Sequence, residues 1–303
     1  MQFELLAPVP AVTLARKLRE IPLFRFASVD ELFRVSTIAR QVRYDERSKV
    51  QERGAQAAYI QVLLEGAFEV TNAQQRAERV DPPAMLGFRE VVAGVTLQTD
   101  VTAASDSIAL VMAAEDFRTL LSANIELVQG LFRMLLEEKK SEDPPPSQTR
   151  VSQELQAPTP GGELKSVDKV LYLQTLPVFE GARAEELYEL AAITRDVVLE
   201  PDKALFAEGH PSSIWLVLAG EVTLESRDGQ QKGTVSTGDC IGVHETLAGA
   251  DWSWRARATS SGRALQIERD ALFELLSNRM DLLQGIFGAI LRDADTEHEN
   301  QDV

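Results

Sequence analysis

At 303 residues, 44% of them hydrophobic, the chain has room for two domains with buried cores and is too apolar for a disordered protein. A formal charge of −16, with no basic run longer than Lys139-Lys140, speaks against a general nucleic-acid surface, which needs clustered Lys and Arg. The single cysteine, Cys240, excludes an internal disulfide, and no apolar run reaches the roughly 18 residues of a membrane span. The acid-bearing start Met1-Gln2-Phe3-Glu4 is unlike a signal peptide, so the expected location is the cytoplasm.

Val12, Ala15 and Leu18 recur at helical spacing and open the chain with a helix. A second helix follows at Asp30-Glu31-Leu32-Phe33, with acids in the first turn where the helix dipole favours them. Short apolar runs punctuated by glycine come next; Tyr59-Ile60-Gln61-Val62-Leu63-Leu64-Glu65-Gly66 reads as a strand running into a turn. Ile108-Ala109-Leu110-Val111-Met112 is the last strand of the series, and a helix from 115 to about 138 closes it. Residues 139–166 hold Pro144-Pro145-Pro146, Pro158, Pro160 and Gly161-Gly162, a composition that predicts an extended, mobile linker.

The same order then begins again. Val167, Val170 and Leu173 repeat the first helix and Glu185-Glu186-Leu187-Tyr188 the second. Ile214-Trp215-Leu216-Val217-Leu218-Ala219-Gly220 answers residues 59–66, Ala264-Leu265-Gln266-Ile267 forms the last strand, and a helix from 270 to about 292 closes the copy. The acidic tail 293–303 lacks apolar anchors and is expected to fray. A fixed offset of 155 relates the copies: Ile21-Pro22-Leu23-Phe24 falls on Leu176-Pro177-Val178-Phe179, Gly54 on Gly209 and Gly87 on Gly242. Leu127-Val128-Gln129-Gly130 likewise falls on Leu282-Leu283-Gln284-Gly285. Gly66 and Gly220 are out of step by one residue, which implies a single indel between the flanking glycines. The chain therefore reads as a duplication, mainly β with flanking α-helices: two antiparallel barrels at 1–138 and 167–292, joined by the linker and followed by the tail.

The run Leu176-Pro177-Val178-Phe179-Glu180-Gly181, the Glu186-Leu187 helix, Glu208-Gly209 and the segment 216–222 resemble the cyclic nucleotide-binding domain. The second copy matches along about 125 residues, and the first more weakly through Pro22-Leu23-Phe24, Arg53-Gly54 and Leu64-Glu65-Gly66. The resemblance, to tandem proteins of bacterial type, implies jelly-roll barrels, each with a phosphate-binding cassette between two strands. In the family the cassette runs approximately Phe-Gly-Glu-x-Ala-Leu, a short helix, then Pro-Arg-Ala-Ala. Backbone N–H groups cradle the phosphate, the arginine fork neutralises it, and the glutamate accepts from the ribose hydroxyl.

This chain departs from that pattern in both copies. Ile241-Gly242 matches Phe-Gly, but Val243 stands at the glutamate position and Trp252 at the arginine position. In the first copy Leu86-Gly87 is followed by Phe88 at the glutamate position and Leu97 at the arginine position. A phosphodiester without its arginine is costly to desolvate, so no cofactor is expected, ordinary cAMP or cGMP included. Arg255 and Arg257 either face outward from their strand or turn inward through a bulge to replace the lost arginine. His244 and Glu245, like Arg89 and Glu90 in the first copy, lie on the cassette helix surface or join such a rescue.

Trp252 and Trp254 alternate with Ser253, so they share one strand face, as an aromatic platform or as core. Trp215 and Cys240 read as core, and His210 as a solvated turn residue. His210, His244 and His298 have no metal-ligand spacing, and no catalytic triad or P-loop stands out, so no enzyme is expected. The sequence ends about a dozen residues past the closing helix without a helix-turn-helix, so DNA is not an expected partner. The leading expectation is a non-catalytic regulatory protein binding a protein partner through altered barrels. Self-association through the Gln129-Gly130 and Gln284-Gly285 helices is weighed beside it, and the alternative is a cyclic-nucleotide or related small-ligand sensor acting on a separate effector.

Overall fold

A computed structural model describes residues 4–6, 10–25, 27–122, 124–136, 148–150, 162 and 164–301, with side chains described outside 148–150 and 293–301. Most of the predicted linker, including all five of its named prolines and Gly161, lies outside these residues. The chain divides into two compact units, Met1–Gly130 and Leu131–Val303.

The first unit opens with β1 (Glu4–Leu5), α1 (Ala11–Leu18), a 3-10 turn at Pro22–Phe24 and α2 (Val29–Ile38). Ser28 starts α2 as a capping box: its hydroxyl accepts from the Glu31 N–H while the Glu31 carboxylate accepts from the Ser28 N–H. The barrel follows as β2 (Arg40–Tyr44), β3 (Lys49–Gln51), β4 (Tyr59–Glu65), β5 (Phe68–Thr71), β6 (Ala77–Val80) and β7 (Ala84–Leu86). After the short α3 (Phe88–Ala93) come β8 (Asp100–Ala103), β9 (Ser107–Ala113), α4 (Ala114–Ser122) and α5 (Ile125–Leu136), which runs across the unit boundary after Gly130. Two antiparallel sheets, β1-β2-β9-β4-β7 and β3-β8-β5-β6, face each other. Between them lie Val42, Tyr44, Leu63, Phe68, Val101 and Ala109, the inward half of each strand's alternation.

The second unit contains β10 (Gln148–Arg150), α6 (Ser166–Leu173), a 3-10 turn at Pro177–Phe179, α7 (Ala184–Ile193), β11 (Thr194–Leu199), β12 (Ala204–Phe206) and β13 (Ser213–Ala219). It continues through β14 (Glu221–Glu225), β15 (Lys232–Ser236), β16 (Asp239–Ile241), α8 (Val243–Ala248), β17 (Arg255–Ala258) and β18 (Gly262–Glu268) to α9 (Arg269–Asn278) and α10 (Met280–Gln301). Its sheets are β10-β16-β13-β18-β11 and β12-β17-β14-β15; the order β11-β18-β13-β16 repeats β2-β9-β4-β7, and the extra edge strand is β1 beside β2 in the first unit but β10 beside β16 in the second. On the long sheet Arg263 and Asp196, both largely buried, form a two-pronged ion pair that ties β18 to β11.

Several expectations are corrected. Each closing helix is two helices. Asn124 accepts from the Leu127 N–H and so starts α5 afresh, while Arg279, at φ −130° and ψ 80°, breaks the run between α9 and α10. The predicted tail is helical as far as Gln301: α10 runs on past Arg292 through residues 293–301, which lack Pro and Gly and so let a nucleated helix extend.

The offset also needs two compensating indels rather than one. Tyr59 pairs with Ala113 and Ser213 with Glu268, so Tyr59 corresponds to Ser213 and not to Ile214, and Gln61 to Trp215. One residue is missing in the second unit before β13, and the β14–β15 hairpin returns it. A one-residue slip exchanges inward and outward faces, so the strand register and not the letter match decides which side chains enter the barrel.

Gly130 and Gly285, considered above for pairing between chains, are each occupied within their own unit. Gly130 sits against the Leu23 carbonyl and Gly285 against Gly181, both beside the 3-10 turns.

Candidate ligand pockets beside the short helices

In both units a three-residue strand, β7 or β16, runs into a left-handed glycine and then a six-residue helix. Gly87 (φ 76°) precedes α3 and Gly242 (φ 83°) precedes α8; Gly94 and Gly249, both at φ 69°, end them. The backbone around them is duplicated. The Gly54 N–H donates to the Leu97 carbonyl at 2.8 Å and the Leu97 N–H to the Ala55 carbonyl at 2.9 Å. The Gly209 N–H donates to the Trp252 carbonyl at 2.7 Å and the Trp252 N–H to the His210 carbonyl at 2.9 Å. Leu97 and Trp252 are therefore equivalent positions in three dimensions, as the ungapped count predicted.

Their surroundings differ. Trp252 is 2% exposed and lies parallel to Phe206, ring centroids 4.1 Å apart and planes 8° from each other. Its six-membered ring rests on Gly242 so closely that any Cβ there would collide with it and with the Ser213 carbonyl. Val243 is buried, and Trp215 and Trp254 join Trp252 and Phe206 in one apolar cluster. The two tryptophans do not lie on a strand, because β17 starts at Arg255 and the Trp252 backbone pairs with the 209–210 turn instead. Both nevertheless turn into the core.

Of the two arrangements weighed for the nearby arginines, the outward one is found. Along β17 Arg255 and Arg257 are exposed while Ala256 and Ala258 are buried. Arg255 pairs with Glu225 at 3.0 Å and Arg257 donates to the Asp202 carbonyl at 2.8 Å. His244 and Glu245 on α8 and Arg89 and Glu90 on α3 are half-buried, and the Arg89 guanidinium lies 6.0 Å from the Phe88 ring centre. Cys240 is fully buried; desolvation and the neighbouring Asp239 push its thiol up, so it stays protonated. His210 is exposed.

In the first unit Phe88 and Leu97 are buried, but the equivalent of Phe206 is Gln51, whose amide donates to Thr99 Oγ1 at 3.0 Å. Gln61 lies deeper, accepting from the Tyr44 hydroxyl at 2.7 Å and donating to the Val50 carbonyl at 3.1 Å. Burial pushes the Tyr44 hydroxyl up, so it remains a neutral donor. Tyr44→Phe is expected to destabilise the first unit by about 1–2 kcal/mol, since it removes a donor to a buried amide oxygen. Denaturant melts checked against tryptophan fluorescence, which all arises beyond residue 214, would place the loss outside the second unit.

Sequence reasoning did not find Phe206, Gln61 or Tyr44 as neighbours of these positions. Nor did it find the polar atoms that the second unit buries without a hydrogen-bond partner: Ser212 Oγ, Thr246 Oγ1 and the Nε1 of Trp215, Trp252 and Trp254. A cavity of about 450 Å³ in this unit is bounded by Phe206, Ser212, Ser213, Trp215, Gln266 and Arg269 and by further residues of β12 and of the β18–α9 junction. Among the described residues no group of three or more His, Cys, Asp or Glu could hold a metal ion, and no helix is long and apolar enough to cross a membrane.

Residues 196–279 match the family model of the cyclic nucleotide-binding domain. No curated protein matches the chain. Among solved structures it is similar to cAMP-bound PfPKA-R (141–441), at 11% identity and a TM-score of 0.41 over 90% of this chain and 86% of that one. A second likeness is to the guanosine-bound regulatory subunit of a cAMP-independent protein kinase A from Trypanosoma cruzi, at 16% identity and a TM-score of 0.37 over 93% and 90% of the two chains. A third is to the N-terminal domain of a transcriptional regulator from Streptomyces coelicolor A3(2), at 22% identity and a TM-score of 0.39 over 42% of this chain and 95% of that one.

Proposed function

We propose that the chain, mainly β with flanking helices and built as two tandem jelly-roll barrels of the cyclic nucleotide-binding type, is a non-catalytic regulatory protein of the cytoplasm whose two barrels have lost ordinary cAMP and cGMP binding and act by engaging a protein partner. The observation that carries this reading is Trp252. A buried indole stacked on Phe206 and seated on Gly242 fills the ground that a phosphate and its arginine would need. Val243 beside it offers no acceptor to a ribose hydroxyl, and Arg255 and Arg257 point away, so neither can replace the lost fork. In the first unit Phe88 and Leu97 leave the equivalent place equally uncharged.

The test is calorimetric titration of the full chain with cAMP and cGMP, followed by affinity capture from native lysate. No heat from either nucleotide and a stoichiometric protein partner are the expected results. Micromolar binding of either nucleotide would overturn the reading. A small-ligand sensor is the second reading, favoured by the cavity beside Trp215.

A further inference from the structure

We propose that a cavity at the end of the first barrel, between the last turn of α2 and the first of α4, binds a free α-amino acid with an apolar side chain. Arg40 holds its carboxylate and Asp116 its ammonium. The proposal goes beyond the partner-binding reading and does not depend on it.

Strand register assembles the site. Leu5 pairs with Val42, Arg40 with Val111 and Tyr59 with Ala113. Val42 and Val111 belong to the barrel core, so their cross-strand partners, and the residues two places along the same strands, lie on the same inward face. These six residues line a cavity of about 500 Å³ together with Thr37 and Ile38 of α2 and Asp116 of α4. That volume is within the range of small-molecule sites. Leu5, Ile38 and Ala113 keep accessible apolar surface there, while Arg40, Tyr59 and Asp116 are exposed and polar.

The second unit shows which group belongs beside Arg40. Arg195 pairs with Gln266 as Arg40 does with Val111, and Ser213 with Glu268 as Tyr59 does with Ala113. Arg195 is therefore the counterpart of Arg40, and Glu268 of Ala113. In the second unit the guanidinium meets the Glu268 carboxylate at 2.8 Å. In the first, alanine stands in the carboxylate's place, and among the described residues Arg40 has no ion pair or side-chain hydrogen bond. A carboxylate brought in from solution restores the pair, and a guanidinium fork suits it. The second unit's cavity reaches Ser213, Gln266 and Glu268 but not Arg195, so it does not repeat this arrangement.

The rest of the ligand follows from the lining. Asp116 is the other charged residue of the cavity, and among the described residues it too has no ion pair. A simple anion at Arg40 would be repelled by it, whereas an ammonium carried next to the carboxylate is attracted. Two opposite charges that line one cavity without pairing with each other fit a zwitterion. The apolar wall then receives the side chain.

Isothermal titration of the full chain with L-leucine and L-phenylalanine tests this. The amide of each amino acid blocks the carboxylate, and the N-acetyl derivative blocks the ammonium. Saturable binding of at least one amino acid, about tenfold or more tighter than its two blocked derivatives, is expected. Ala113→Glu should abolish the binding heat, because it supplies the carboxylate that Glu268 supplies in the second unit. Arg40→Gln should weaken binding about tenfold or more. Its side chain is exposed and unpaired among the described residues, so this variant keeps the test open if Ala113→Glu does not fold. The proposal is overturned if neither amino acid binds up to its solubility limit, if a blocked derivative binds as tightly, or if a folded variant binds as the parent does. None of these outcomes bears on cyclic nucleotide binding or on a protein partner, so the two proposals fail separately.

Discussion

Gly242→Ala is expected to destabilise the second unit by about 3–5 kcal/mol, which for a domain of this size lowers its Tm by roughly 10 °C or more. Two costs combine. The backbone at φ 83° is left-handed, and a Cβ there costs about 1–2 kcal/mol before any contact is counted. The added methyl would then overlap the Ser213 carbonyl and the Trp252 ring. Neither can retreat easily, since Ser213 is fixed in the β13 ladder and the indole is held by Phe206. Gly209→Ala isolates the first cost. Gly209 has nearly the same torsion, φ 76°, but nothing lies within 4 Å of where its Cβ would be, so only the backbone cost of about 1–2 kcal/mol should remain. Tryptophan fluorescence during a denaturant melt reads the second unit alone. Equal losses for the two variants would show that the indole does not rest on Gly242 in solution.

The same comparison shows what the sequence reveals and where it stops. The duplication and the order of elements are legible because local chemistry dictates them, apolar spacing in the flanking helices and glycine turns between strands, whereas the short helices after Gly87 and Gly242 are expected only from the family resemblance. The equivalence of Leu97 and Trp252 is legible too, because both sit a fixed distance from anchors that the fold preserves. What fills the barrels is not. Phe206 meets Trp252 across 46 positions of sequence, and Tyr44 meets Gln61 through the register of β2 and β4 with β9. Neither pair leaves a local trace. The compensating indels around β13 hide the rest: matching Tyr59 to Ile214 by letter reverses the inward face, so Trp215 is not recognised as the partner of Gln61. The unpartnered indoles are invisible for a similar reason, since a tryptophan's spacing says that it is buried but not whether anything accepts its proton.

Trp252→Ala should destabilise the second unit by about 3–5 kcal/mol, the usual cost of removing a fully packed aromatic ring, while Trp252→Phe should cost about 1 kcal/mol or less. The phenylalanine keeps a ring against Phe206 and discards an indole N–H that has no partner, so the lost area is largely offset. Fluorescence-monitored melts of both variants measure the difference. The contrast decides what Trp252 is for. If the ring were a swinging gate over a working phosphate site, removing it would cost little and cAMP would then bind to Trp252→Ala. If it is part of the core, opening the site requires first losing about 4 kcal/mol of packing, which alone weakens any nucleotide about a thousandfold. On the proposed reading Val243 and the outward-facing Arg255 and Arg257 leave no charged grip to repay such a loss. A mild Trp252→Ala phenotype accompanied by cAMP binding would overturn the proposed reading of the second barrel.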